Sequence, residues 1–340
     1  MGLQIGEIIS KKEISFKDLK NKIIVVDAFN TLYQFLTTIR QRDGTPLMDD
    51  QGEITSHLSG LFYRNLNLIL NGVKLIYVFD GEAPDLKKTT KGLREDAKIR
   101  ARQKYQEAES IQDIDAMGKY SKRNVNLNDI KIKESKELLK AMGIAIVQAP
   151  GEGEAQASYL VNKNAEFYAV ASQDYDCLMF RATKVIQNLS LARKKRTIYG
   201  FKEVFPQIIH LDNVLKELEI NQEQLICLGI LCGTDYNPSG IKGLGPKKSL
   251  KLVREFKTKE KIFEEIENNE RYEMNFDWKE IYEEINNPKI EKNVSIEFPK
   301  INKEKIKEIL LKHDFAEERI ENQLKKLDEL KKKKAQKTLF

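Results

Sequence analysis

Four short runs of β-branched and aromatic residues in this chain each lead into acidic residues, and that pattern restricts the possible folds more than any other feature. Residues 23–27 read IIVVD and 75–80 read LIYVFD; IAIV at 144–147 leads to Glu152 and Glu154, and AVASQDYD at 169–176 carries Asp174 and Asp176. Runs this short and continuously apolar suit strands buried on both faces, as in a parallel sheet. Between them lie stretches with helical periodicity. In SHLSGLFYRNLNLIL, Leu58, Leu61, Phe62, Leu66, Ile69 and Leu70 share one stripe, stopped by Asn71-Gly72. IKIKESKELLKAMG, closed by Gly143, and GEGEAQASYLVNK read the same way. Strand and helix alternating along the chain predict an α/β fold with a mostly parallel central sheet and helices on both faces.

An acid at the end of a buried strand gains little stability, because the chain has just left the core. In an open parallel sheet, however, the carboxyl ends of the strands are where ligands bind. Asp27, Asp80, Glu152, Glu154, Asp174 and Asp176 are therefore expected to gather there, with Asp235 of GTDY joining them. Two carboxylates about 4 Å apart repel by roughly 4 kcal/mol at an effective dielectric of about 20, so a crowd of them needs protons or cations. Hard oxygen ligands select Mg²⁺ or Mn²⁺. The histidines are His57, His210 and His313 and the cysteines Cys177, Cys227 and Cys232, a set without zinc-ligand spacing. The acids suit a site for two metals about 4 Å apart, clamping the attacking and leaving oxygens of a phosphodiester. Mg²⁺ takes few direct carboxylates, so some of the acids, Asp235 first, are expected to act through water. Singly, each acid could be an ordinary turn residue; the repeated placement argues otherwise.

Charge distribution fits a polyanionic partner. The net charge is only +6, but residues 84–123 hold eleven Lys/Arg against seven Asp/Glu, and residues 240–259 hold seven against one. Lys91, Arg94, Lys98 and Arg102 form a ridge at helical spacing on a segment with little apolar face, which could order on a ligand or be plain solvated surface. In SGIKGLGPKKSLKLVREF, Gly240, Gly243 and Gly245 precede a helix that opens on Pro246, Lys247 and Lys248. Glycines permit close approach of backbone to a phosphate, and a helix N-terminus binds anions. This reads as a clamp on a duplex backbone without base contacts, or else as a structural turn between helices.

No GxxxxGK[ST] loop is present, no serine or cysteine stands beside an evident base, and water is the expected nucleophile. Three cysteines argue against a disulfide framework. Nothing at the N-terminus reads as a signal peptide and no apolar run approaches a membrane span, which predicts a soluble intracellular protein. Its Lys/Glu content is compatible with a heat-adapted source. From about residue 221 the pattern turns helical, and Lys331–Lys334 reads as a linker to the last residues.

VVDAFNTLYQFL, YVFDGEAPDLK, APGEGEAQASYL, SQDYDCLMF, LCGTDY and GIKGLGPKKSL, in this order, resemble the motifs of the flap structure-specific endonucleases of archaea and eukaryotes, in the 5′ nuclease superfamily. The likeness covers nearly the whole chain. It implies a PIN-like nuclease fold and a Mg²⁺-dependent endonuclease, with 5′–3′ exonuclease activity, that cuts 5′ flaps of branched DNA in replication and repair. The seven acids would hold two Mg²⁺ ions, with Mn²⁺ able to substitute. Lys87 and Arg94 would reach the scissile phosphate from the base of a helical arch over 84–123. Tyr33 would stack a terminal base, although a core tyrosine on an amphipathic helix fits the residues as well. Residues 236–257 would form a helix-two-turn-helix element whose carbonyls also hold K⁺.

The implied organisation is one nuclease domain over 1–330: an N-terminal region 1–98, the arch, an intermediate region 124–258 and a C-terminal helical region 259–330. Residues 331–340 would be a basic linker and a sliding-clamp-binding tail with Gln336, Leu339 and Phe340, one aromatic short of the family's usual pair, or a frayed end. The chain is expected to be monomeric when unbound. Alternatives from the residues alone are a PIN-like ribonuclease, a general 5′ exonuclease or a non-catalytic junction-binding scaffold.

Overall fold

The computed structural model describes residues 3–41, 44–87, 127–189, 194–197 and 200–337, with 92, 99–101, 103–105 and 107. The apolar runs pair into one sheet: β1 (Lys12–Glu13), β2 (Ile23–Asp27), β3 (Lys74–Phe79), β4 (Ala145–Gln148), β5 (Phe167–Ala171), β6 (Lys184–Gln187) and β9 (Gln207–His210), in the order β1-β9-β6-β5-β2-β3-β4. A separate hairpin joins β7 (Lys194–Thr197) to β8 (Gly200–Glu203). From β6 to β4 every pairing is parallel, whereas β9 adds antiparallel to β6 and β1 closes that edge antiparallel to β9. The carboxyl ends of β5, β2, β3 and β4 therefore lie along one edge. Strand order reverses at β2, which is flanked by β3 on one side and β5 on the other, making the crevice above it the topological switch point.

Period-two alternation decides which helices cover which face. Val25, Ile76, Val78, Val147 and Val170 point into a core shared with α4 (Gly153–Lys163), α5 (Asp176–Met179), α6 (Leu211–Glu217) and α7 (Gln222–Cys232), then α8 (Pro246–Phe256), α9 (Lys259–Asn268) and α10 (Trp278–Asn286). Ile24, Val26, Leu75, Tyr77 and Phe79 point the other way, against α1 (Ala28–Thr38), α2 (Ser56–Leu70), α3 (Asp129–Ala141), α11 (Lys303–Leu311) and α12 (Glu317–Lys337). The expected two-sided α/β sheet is what forms.

Local chemistry sets the helix ends. Asp27 caps α1 by accepting from Asn30 N at 3.1 Å, so the last residue of β2 is already committed to the turn that follows. Asn221 and Gln224 close a capping box on α7, and Gly143 (φ 78) ends the turn after α3 in the left-handed region. One expectation changes at the C-terminus: α12 continues through Lys331–Lys334 to Lys337, so the run read as a linker is helical. Lysine is a good helix former, and the preceding turns are anchored by Ile320, Leu324 and Leu327 in the core. Among the described residues, no helix is long and apolar enough to cross a membrane.

His313, just past α11, ties the connection between α1 and α2 to α3. Its Nδ1 lies 2.8 Å from Asp49 Oδ2 and its Nε2 3.0 Å from Glu134 Oε1 of α3.

Candidate metal centre and nucleic-acid interface

Asp27 closes β2, Asp80 follows β3, Glu152 and Glu154 open α4 after β4, and Asp174 and Asp176 follow β5. Four strand ends deliver six acids to one edge. Asp235 arrives from the turn after α7 and joins them, lying 3.5 Å from Lys87 Nζ, which also bonds Glu152 Oε1.

Neutral donors hold the cluster in register. Ser172 Oγ lies 3.2 Å from Asp27 Oδ2 and 3.3 Å from Glu154 Oε1; one hydroxyl proton serves only one of them at a time. Asn30 donates from Nδ2 to Asp174 Oδ2 at 2.9 Å and accepts from Gln173 N at 3.1 Å. Gly153 N, at the start of α4, donates to Asp80 Oδ1 at 2.7 Å. Leu3 N donates to Asp176 Oδ1 at 2.8 Å. Leu3, Asn30, Ser172 and Tyr236, which bonds Glu152, carry none of the charge that drew the sequence reading to the acids. Only their spacing within the motifs could have marked Asn30, Ser172 and Tyr236.

The electrostatic consequence is an excess of negative charge. Burial, then Asp80 and Asp174, push the Asp27 carboxyl up to about 7. Burial, then Asp174 and Asp235, do the same for Asp176, and burial with Asp27, Asp176 and Asp174 lifts Glu154 well above its ordinary range. Burial works against the charge on Lys87, but Glu152, Asp235 and Glu154 outweigh it and hold the ammonium above its ordinary value. One lysine cannot neutralise seven acids. An all-oxygen donor set short of positive charge is what Mg²⁺ or Mn²⁺ would fit. Among the described residues no three His, Cys, Asp or Glu side chains already close into a cage around one point.

The remaining predicted residues divide. Tyr33 on α1 is 37% exposed, whereas Thr31, Leu32, Phe35 and Leu36 are buried, so it is not a core tyrosine. Lys87, expected at the foot of an arch, sits in the turn Asp85–Lys87 with its ammonium inside the acid cluster. Lys91, Arg94, Lys98 and Arg102, and with them most of the arch at 84–123, lie outside the described residues, as do Leu339 and Phe340. Gln336 falls on the last turn of α12.

In the turn before α8, Gly243 (φ 88) and Gly245 are exposed, and so are Lys247 and Lys248 at the helix start. Gly240 differs. A Cβ there would come within 2.6 Å of Leu231 O and of the Cys232 carbonyl carbon, so close backbone packing by itself requires the glycine. Lys248 Nζ donates to Gly243 O at 3.2 Å, which shows that this turn presents a carbonyl to a cation.

Comparison with known proteins bears directly on this arrangement. Residues 2–101 match the XPG N-terminal domain family and residues 143–235 the XPG I-region. Flap endonuclease 1 of Thermococcus onnurineus is 46% identical over 343 residues, covering 100% of this chain and 98% of that protein. The Pyrococcus furiosus protein of the same name gives the same identity and coverage. The chain belongs to the flap endonuclease 1 family. The family's fold is matched as well: flap endonuclease-1 from Methanococcus jannaschii superposes with a TM-score of 0.75 at 39% identity, covering 98% of this chain and 100% of that one. The catalytic core of Rad2, solved with a DNA substrate, shares the fold at a TM-score of 0.70 and 21% identity, over 94% of this chain and 96% of that one. Membership accounts for the order of the motifs along the chain, and the sheet accounts for their meeting in space.

Proposed function

We propose that this chain is a structure-specific 5′ flap endonuclease, with 5′–3′ exonuclease activity, that hydrolyses DNA phosphodiesters at single-strand/double-strand junctions in replication and repair. The observation that carries the reading is the convergence of Asp27, Asp80, Glu152, Glu154, Asp174, Asp176 and Asp235 on the switch-point edge, with Lys87 among them. The acids are the residues that would hold two Mg²⁺ ions, which Mn²⁺ can replace. Such ions, when bound, neutralise charge on a phosphodiester and lower the pKa of water.

The chain's own groups do the rest. The Leu3, Gly153 and Asn30 donors fix the directions in which Asp176, Asp80 and Asp174 point. Lys87, with Arg94, contacts the scissile phosphate, and exposed Tyr33 offers a face to an unpaired base. Lys91, Lys98 and Arg102, in the arch segment 84–123, would guide the flap. The turn over Gly240, Gly243 and Gly245 with Lys247 and Lys248 holds the duplex backbone, with K⁺ at its carbonyls. Residues 1–330 act as one nuclease unit. Gln336, Leu339 and Phe340 engage a sliding clamp; a pull-down with and without residues 336–340 tests that contact.

Asp80→Ala and Asp176→Ala should bind a double-flap DNA about as tightly as the unaltered protein and not cleave it. Mg²⁺-dependent turnover retained in both variants would contradict the proposal. A panel of flap, blunt, nicked and RNA substrates tests the choice of substrate: preference for RNA or for blunt ends would point to a different nuclease.

A further inference from the structure

The lysine and one acid of the cluster meet on a third side chain. Tyr236 is 9% exposed, its hydroxyl donates to Glu152 Oε2 at 2.6 Å, and Lys87 Nζ lies 5.1 Å from its ring centroid while bonding the other Glu152 oxygen. The turn that carries Tyr236 is locked from within. Tyr236 N donates to Thr234 Oγ1 at 3.1 Å, Thr234 Oγ1 to Asn237 Oδ1 at 2.7 Å, and Asn237 Nδ2 to Ile230 O at 2.7 Å, all anchored on the buried end of α7. A phenol on so fixed a mount presents its hydroxyl and its ring face in set directions.

We propose that Tyr236 is a positioning residue that holds Glu152 through its hydroxyl and docks Lys87 on its ring. The inference rests on the metal reading of the acid cluster and deepens it. If Lys87 swings out to contact a phosphate, its bond to Glu152 opens. A carboxylate held by Lys87 alone would be free to swing with it or rotate away. The Tyr236 hydroxyl bonds the opposite oxygen, so Glu152 keeps its orientation when the ammonium leaves. Short charge-assisted O–H···O⁻ bonds of this kind are strong and directional, and cation–π contact gives the departing ammonium a place to return to.

Tyr236→Phe keeps the ring and removes the hydroxyl; Lys87→Met removes the ammonium and leaves the hydroxyl. We would measure Mn²⁺ uptake by the DNA-free protein with paramagnetic resonance, single-turnover cleavage of a double flap, and thermal melting. Tyr236→Phe should weaken Mn²⁺ uptake about tenfold and slow cleavage by a similar factor, since partners that orient metal-ligating carboxylates typically matter by 10- to 100-fold, while the loss of one buried hydrogen bond lowers the melting temperature by a few degrees at most. Lys87→Met should slow cleavage while Mn²⁺ uptake stays the same or tightens, because Glu152 remains held. Wild-type uptake and rate in Tyr236→Phe would overturn the proposal, as would unchanged uptake with only the melting temperature lowered. Weakened uptake in Lys87→Met would also overturn it, and that variant decides the matter if Tyr236→Phe does not fold. An unaltered protein that takes up no Mn²⁺ would overturn the metal reading and this inference together.

Discussion

The backbone amide of Leu3 donates to Asp176 Oδ1 at 2.8 Å, joining the third residue of the chain to an acid 173 positions away. A hydrogen bond to a charged group contributes about 1.5–3 kcal/mol. Proline has no N–H, so Leu3→Pro should slow single-turnover cleavage about tenfold, while Leu3→Val, which keeps the amide, should stay within about twofold. Equal rates for the two variants would show that this amide does not orient Asp176.

Burial and neighbouring acids raise Asp27 and Asp176 to about 7 in the folded protein, against an ordinary 3.8. Between those values the native state holds protons that the unfolded chain has released. The stabilisation they provide is complete below pH about 4 and is lost as pH rises through about 7. Without divalent metal, the melting temperature should therefore fall from pH 5 to pH 7.5 and level off above. Mg²⁺ should raise it more at pH 8 than at pH 5.5, because the ion binds deprotonated carboxylates. Asp176→Asn should flatten the metal-free profile; a slope unchanged in that variant would assign it to other groups.

Gly81 holds the β3 and β4 ends together. Its N donates to Gly151 O at 2.7 Å, and a Cβ there would come within 2.2 Å of Ala149 O and 2.7 Å of Pro150 O. Backbone carbonyls cannot rotate away as a side-chain tip can. Gly81→Ala should separate Asp80 from the turn carrying Glu152, cost about 1–3 kcal/mol in urea denaturation and lower the cleavage rate. Full stability and rate would mean that the two strand ends part without consequence.

The bridging of Asp49 and Glu134 by His313 is a structural clasp remote from the acid cluster in sequence. Its side chain is 10% exposed, and those of its partners are 5% and 16% exposed. His313→Ala should cost about 1–3 kcal/mol in urea denaturation, toward the lower end because Asp49 keeps its bonds from Gln51 N and Glu53 N. Single-turnover cleavage of a substrate with only a 5′ flap should change little. A stability unchanged within error would show the clasp to be ornamental.

Much of this was legible in the residues. The strands β2 to β5 announce themselves as β-branched runs ending in acids, and α2, α3 and α8 by their stripes and their Gly or Pro boundaries. The strand β9, between β1 and β6, was missed because QIIH is too short to show a period, whereas α10 falls in the region 259–330 read as helical and its buried Trp278, Ile281, Tyr282 and Ile285 keep the i, i+3, i+4, i+7 spacing of one helix face. In the site, charge marked the seven acids. Nothing along the chain ties Lys87 to Glu152, Tyr236 to Glu152, or the Leu3 amide to Asp176.

By itself, the sequence determined that several acids would follow buried strands, because a short apolar run fixes where the chain leaves the core. Which oxygen each acid presents, and to which donor, was decided only when β2 settled between β3 and β5 and brought separate turns within hydrogen-bonding distance. Strand pattern is a local property of side chains; the orientation of a carboxylate depends on groups that only packing makes neighbours.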